Sequence, residues 1–312
     1  MAMIEVHNLT KDYGNNRGIF NVSFTIKEGE VFGFLGPNGA GKTTTIRHLM
    51  GFIKGQEGSL NINGQDCWKS ASLIKNDVGY LPGELAFPEN MSGNEFISYM
   101  AHERNIQNMT YSEALKLTFE FEGFEKIKEM SLGNKRKLAI ITAFMHDPKI
   151  LILDEPTSGL DPIMQERFIR FILDAKKAGK TILLSSHIFS EVDAACDRIA
   201  IIKDGKIVST IESSKLKQST HKAFKIEFSS SNDYNKFLER TQFPISIKRE
   251  YQNQIKINLI DQKMQALFKE LSQVQLNFIS EIKFTLEDYF MDFYDREKSI
   301  HDGKENMNDG LY

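Results

Sequence analysis

At 312 residues, with 39 basic against 42 acidic side chains and a formal charge of −3, the chain has length for roughly two domains with self-sufficient cores. That balance lacks the basic excess of a nucleic-acid binder, and Cys67 and Cys196 have no His or Cys partner at zinc-ligand spacing. No apolar run approaches the roughly 20 residues that span a bilayer, and the opening MAMIEVHNLT lacks a secretory signal's order, so a reducing cytosol is expected.

From residue 1 to about 212, short β-branched runs alternate with helical patterns, which predicts an α/β domain with a mostly parallel sheet covered by helices. The runs Val31–Leu35, Ile150–Leu153 and Thr181–Leu184 carry almost no charge, as strands buried on both faces do. Directly after the first of them stands Gly36-Pro37-Asn38-Gly39-Ala40-Gly41-Lys42-Thr43-Thr44, the Walker A pattern, with a helix expected from about Lys42. Glycines at 36, 39 and 41 let backbone N–H groups turn inward around an anion, and the helix N-terminus adds its partial positive charge. Lys42 then reaches the β- and γ-phosphates, and the Thr43 hydroxyl is placed to ligate Mg²⁺.

Between about Ser92 and Met145 the pattern turns helical, with Phe96, Ile97, Met100, Leu115, Leu117, Phe119 and Phe124 set among charges; this predicts a helical subdomain inserted over 92–145. The strand Ile150–Leu153 then ends in Asp154-Glu155, two carboxylates at the edge where open α/β sheets bind ligands. Asp154 is expected to hold Mg²⁺ directly or through water, and Glu155 to orient and deprotonate the attacking water.

After Ser213 the pattern restarts: strand Ala223–Phe228, helix Asp233–Arg240, strands Ile245–Arg249 and Gln254–Leu259, helix Lys263–Leu271 and strand Phe278–Phe284. That β-α-β-β-α-β order predicts a ferredoxin-like α+β domain over 213–297. Leu286, Tyr289, Phe290, Phe293 and Tyr294 are spaced as one helix face, and the polar residues 298–312 are expected to be a disordered tail.

The residues that follow the two phosphate-site motifs narrow the family. Asp154-Glu155-Pro156-Thr157-Ser158-Gly159-Leu160-Asp161-Pro162 resembles the Walker B and D-loop segment of ABC ATPases, with Asp161 in the D-loop. His187, after Thr181-Ile182-Leu183-Leu184-Ser185-Ser186, is similar to that family's switch histidine, and Tyr13 to the aromatic residue on which adenine stacks. Met130-Ser131-Leu132-Gly133-Asn134 occupies the place of the signature motif. Ser131 and Gly133 keep its γ-phosphate-contacting residues; Leu132 and Asn134 depart from it, and a plain helix cap at Ser131 explains the segment equally well. The family's Q-loop glutamine should follow Val78-Gly79-Tyr80-Leu81-Pro82, but Gly83 stands there, and Glu84 is the candidate substitute as an oxygen ligand for Mg²⁺.

The resemblance covers residues 3 to 212. It implies a P-loop ABC-type ATPase that uses ATP and Mg²⁺ and dimerises head to tail with an identical or homologous cassette. Partners are then transmembrane permease subunits met at the cytoplasmic face of the membrane, with a groove around Leu85, Phe87, Met91, Phe96, Tyr99 and Met100 as the coupling surface. The looser signature and the C-terminal segment resemble exporters of peptides, antibiotics and multiple drugs. Two other readings stand beside it: a soluble ABC ATPase of ribosomes or DNA, which lacks its usual tandem cassettes or basic arms here, and an ATP-binding regulator with weak turnover.

Overall fold

The computed structural model describes residues 2–214, 221–282 and 286–287. The chain folds as two compact units, 1–213 and 214–312.

The first unit opens with β1 (Ala2–Asp12), β2 (Gly18–Lys27), β3 (Val31–Leu35) and α1 (Lys42–Leu49). Then come β4 (Glu57–Ile62), β5 (Gln65–Asp66), α2 (Ala71–Asp77) and β6 (Val78–Leu81), followed by three helices, α3 (Gly93–Glu103), α4 (Thr110–Thr118) and α5 (Leu132–Phe144). The unit closes with β7 (Ile150–Asp154), α6 (Pro162–Lys177), β8 (Thr181–Ser186), α7 (Phe189–Ala195), β9 (Arg198–Lys203) and β10 (Lys206–Glu212).

Six strands form a sheet in the order β10-β9-β3-β8-β7-β6, parallel throughout except for the antiparallel edge strand β10. Every residue of β3, β7 and β8 is buried, which is why those runs carry no alternation. A second sheet, β2-β1-β4-β5, is antiparallel and was not separately expected. The inward side chains of β2, Ile19, Val22, Phe24 and Ile26, join Phe32 and Phe34 of β3 in one core, with Phe24 stacked on Phe32 at 5.3 Å. Because β3, β8, β7 and β6 are adjacent and parallel, the segments that leave their C-terminal ends emerge side by side along one edge.

The helices start where the sequence caps them. Ser92 and Glu95 form a capping box on α3, Ser131 caps α5, and Asp161 caps α6 ahead of Pro162. Of the apolar residues expected in the helical region, Ile97, Leu115 and Phe119 are buried, but Leu117 and Phe124 are each 81% exposed. Leu115 and Phe119 lie four apart on one face of α4, which turns Leu117 to the other, and Phe124 follows the Gly123 bend outside any helix. No helix among the described residues is long and apolar enough to cross a membrane.

The second unit runs β11 (His221–Phe228), α8 (Ser231–Arg240), β12 (Ile245–Arg249), β13 (Gln254–Ile260), α9 (Met264–Leu271) and β14 (Leu276–Ile282). Its sheet is antiparallel, in the order β12-β13-β11-β14. We read this arrangement as ferredoxin-like. Phe224, Ile226 and Phe228 pack with Ile255, Ile257, Tyr234, Phe237, Leu267 and Leu271 in a separate core. The last strand begins two residues before the expected Phe278, because pairing with β11 runs from Phe228 opposite Leu276 to Ala223 opposite Ile282. Leu286 is buried, whereas Tyr289, Phe290, Phe293, Tyr294 and the expected tail 298–312 lie outside the described residues.

Candidate active site

The segment after β3 is built for close backbone approach. Gly39 and Gly41 adopt φ of 81° and 109°. Gly36 does not need a left-handed backbone; it needs the absence of a Cβ, which would sit 2.3 Å from the Ile202 carbonyl oxygen of β9. Gly41 precedes α1 with no side-chain cap, so the first N–H groups of the helix face out toward the loop. Pro37, Asn38 and Gly39 are exposed, Ala40 is buried, and Thr43 and Thr44 occupy the first turn. Lys42 is buried, its Nζ donating to the Gly36 carbonyl at 2.6 Å and to that of Pro37 at 3.1 Å.

The same Nζ lies 3.1 Å from Glu155 Oε1, while Glu155 Oε2 lies 2.6 Å from His187 Nδ1. Glu155 has φ 49°, a left-handed conformation that costs a non-glycine residue about 1 kcal/mol or more. Its N–H donates to the Ser185 carbonyl at 3.1 Å, which holds it there and aims the carboxylate between Lys42 and His187. A cleft of about 280 Å³ opens beside these groups, lined by Asn38, Thr43, Glu84, Ser158 and His187 among others.

Asp154, at the end of β7, is fully buried. Its Oδ1 accepts a hydrogen bond from Ser185 Oγ at 2.5 Å, while Oδ2 has no hydrogen-bond partner. That oxygen lies against Gly83: a Cβ there would stand 3.2 Å from it. An unsatisfied buried carboxylate oxygen, with the Thr43 hydroxyl on the adjoining cleft wall, is an all-oxygen donor set that fits a hard divalent cation. The described residues contain no group of three or more His, Cys, Asp or Glu side chains that could hold a metal. Few protein ligands suit Mg²⁺, which keeps waters and phosphate oxygens.

Not every expected residue reaches this cleft. Tyr13 is 53% exposed, in the turn between β1 and β2, with Lys11 Nζ 5.5 Å from its ring centroid. That turn flanks the phosphate loop, because β2 packs at Gly18 on Gly205, whose N–H donates to the Ala40 carbonyl at 3.0 Å. Ser131 and Gly133 are absent from the cleft lining; Ser131 Oγ caps α5 by accepting from Asn134 N–H at 3.2 Å. Leu132, 60% exposed, packs on Gly159, where a Cβ would come within 2.7 Å of its Cγ. Asp161 accepts from the Met164 N–H at 2.9 Å.

Two buried charged side chains close to these acids, Arg136 and Glu191, lie outside every motif. Arg136 is buried, and its guanidinium donates to the carbonyls of Pro82, Gly83 and Ser158. Burial lowers its pKa, against the pull of Asp154 and Glu155. Glu191 is also buried and accepts from Thr157 Oγ1 and from Ser186 Oγ, tying the residues beside Glu155 and His187; burial raises its pKa. Spacing does not single Arg136 out: Lys135 and Lys137 stand equally three and four residues before buried positions of α5, whose residues 138–144 are all buried.

Comparison with known proteins gives the family. A family model described as ABC transporter matches residues 19–158. An uncharacterized ABC transporter ATP-binding protein of Bacillus subtilis (strain 168), YhcH, is 33% identical over 310 residues, spanning 93% of this chain and 95% of its own. This chain belongs to the ABC transporter ATP-binding proteins. The bacitracin transport ATP-binding protein BcrA of Bacillus licheniformis is 36% identical, over 74% of this chain and 76% of its own. A solved structure of an ATP binding subunit of an ABC transporter matches with TM-score 0.63 and 27% identity, covering 69% of this chain and 92% of that one. As an ABC ATPase the chain binds and hydrolyses ATP.

Proposed function

We propose that this ABC ATPase powers export through separate membrane-spanning subunits, of a class of cargo that includes peptides, antibiotics and other amphipathic compounds. The single observation that carries the catalytic part is the Glu155 carboxylate, held between Lys42 and His187 beside the cleft that Asn38 and Thr43 line. Amides of Gly36, Pro37, Asn38, Gly39, Ala40, Gly41 and Thr44 cradle the phosphates. Lys42 exchanges its loop carbonyls and Glu155 for β- and γ-phosphate oxygens. The Thr43 hydroxyl and the free oxygen of Asp154 would hold Mg²⁺, with Glu84 on the cleft wall as a further oxygen donor. Bound there, the ion would neutralise charge on the phosphate oxygens. Glu155 takes the proton of the attacking water, His187 fixes the direction of that carboxylate, and Tyr13 stacks on the adenine.

The signature residues Ser131 and Gly133, and Asp161, stand outside their own chain's cleft, which supports completion of each site by a second cassette, identical or homologous. In such a pair the N-terminus of α5 meets the partner's γ-phosphate. Phe87 meets Phe96 edge-on at 5.2 Å, and Tyr99 beside them is 47% exposed; this aromatic patch supports docking of a short helix from a membrane subunit at the cytoplasmic face. Cargo export rests on the relatives, of which BcrA is named for bacitracin transport.

The test is Glu155→Gln, which keeps the shape and removes the base. Turnover should fall about 10²- to 10⁴-fold, while Mg-ATP binding persists and an ATP-dependent dimer accumulates in light scattering. Turnover at the parent's rate would remove Glu155 from this role.

A further inference from the structure

We infer that Arg136 is a positioning residue that fastens the Pro82–Gly83 segment and the turn after Glu155 to the signature helix α5, so that the position of this helix sets the geometry around Asp154. The inference rests on the ATPase reading above and names a residue that the motifs leave out.

Arg136 is 2% exposed, a depth at which a charge needs specific partners. Three are present. Nη1 donates to the Pro82 carbonyl at 2.9 Å, Nη2 to the Gly83 carbonyl at 2.8 Å and Nε to the Ser158 carbonyl at 2.9 Å. The planar fork meets two successive carbonyls and a third from a different segment at once, which the single ammonium of a lysine has no geometry to do.

What the clamp holds gives it meaning. Position 83 abuts Asp154 Oδ2, the buried oxygen without a partner, so the peptide gripped by the guanidinium is the one that borders the proposed metal ligand. Ser158 closes the turn after Glu155, its N–H donating to the Glu155 carbonyl at 3.2 Å. One side chain therefore fastens the neighbours of both acids. Arg136 stands five residues from Ser131, within the same hydrogen-bonded helix, with Lys135 N–H donating to the Ser131 carbonyl at 3.0 Å. A displacement of the signature segment moves the guanidinium, and the guanidinium moves the loop beside Asp154. Gly83 has no side chain with which to make such a link itself.

The experiment compares the full-length parent with Arg136→Lys and Arg136→Gln. Four quantities are read: hydrogen exchange of peptides covering 81–85 and 157–161, thermal midpoint, binding of a fluorescent ATP analogue in EDTA, and the Mg²⁺ concentration that half-saturates ATP turnover. The inference expects exchange in those two segments to quicken by about tenfold, as loss of one or two charged hydrogen bonds implies. The Mg²⁺ requirement should rise and kcat fall by a similar factor, with metal-free nucleotide binding within about twofold of the parent. Arg136→Lys should recover little of either.

Unchanged exchange and Mg²⁺ requirement in a folded Arg136→Lys protein would overturn the inference. So would protection lost evenly across α5 and the six-stranded sheet, or failure of both variants to fold, since either result makes the guanidinium a general support of the core. If the parent itself fails to turn over Mg-ATP, the ATPase reading falls, and the exchange measurement still decides the clamp.

Discussion

Replacing Gly36 by alanine tests whether the phosphate loop is held in place by close packing and not only by glycine flexibility. The added Cβ would lie 2.3 Å from the Ile202 carbonyl oxygen and 2.9 Å from Ile202 Cγ2, where contacts under 3.0 Å are essentially never found. Ile202 is fully buried in β9, locked between β3 and β10, so the loop has to retreat by roughly 0.7 Å. Overpacking of this kind costs about 1–3 kcal/mol of stability. The retreat also withdraws loop amides from the phosphates, and a charged hydrogen bond is worth about 1.5–3 kcal/mol, so ATP affinity should fall by about 10- to 100-fold. Gly39 is the internal comparison: its φ is 81°, but a Cβ there meets nothing within 4 Å, so Gly39→Ala should cost only the backbone term of about 1–2 kcal/mol. Urea unfolding and titration with a fluorescent nucleotide report both quantities. Equal losses of ATP affinity in the two variants, or Gly36→Ala within about twofold of the parent's affinity, would refute the packing argument.

Two further outcomes follow from other residues. Glu84→Ala should raise the Mg²⁺ concentration needed for turnover by several-fold, about the worth of one hydrogen-bonded charge, with metal-free ATP binding unchanged; equal metal dependence in variant and parent would dismiss Glu84 as an oxygen donor. His146 has a pKa lowered to about 4, chiefly by burial, with Arg104 adding to the effect. The unfolded chain then binds more protons between pH 6.5 and 4, so stability declines as pH falls through that window. Because the residue as a whole is only partly buried, the loss between pH 7 and 5 should be about 1 kcal/mol, and urea curves of His146→Phe should lose less stability over the same interval than the parent.

The sequence by itself determined the parts whose geometry is covalent or local. The run Gly36 to Thr44 places its glycines, Lys42 and Thr43 in one unbroken strand–loop–helix, and Asp154-Glu155 follow an apolar strand directly, so spacing along the chain specifies their relation. The caps at Ser92, Ser131 and Asp161 were likewise local, each bonding within three residues. The tertiary structure decided what depends on distant segments meeting. Gly36 is required by Ile202, 166 positions away, and Leu132 settles against Gly159. The antiparallel sheet beside the parallel one, the exposure of Leu117, and the convergence of Lys42 and His187 on Glu155 depend on strand order, which local spacing does not encode. Arg136 shows the limit most plainly: within the run Lys135-Arg136-Lys137 its charge reads like its neighbours', and only packing buries that one guanidinium against carbonyls 54, 53 and 22 residues away.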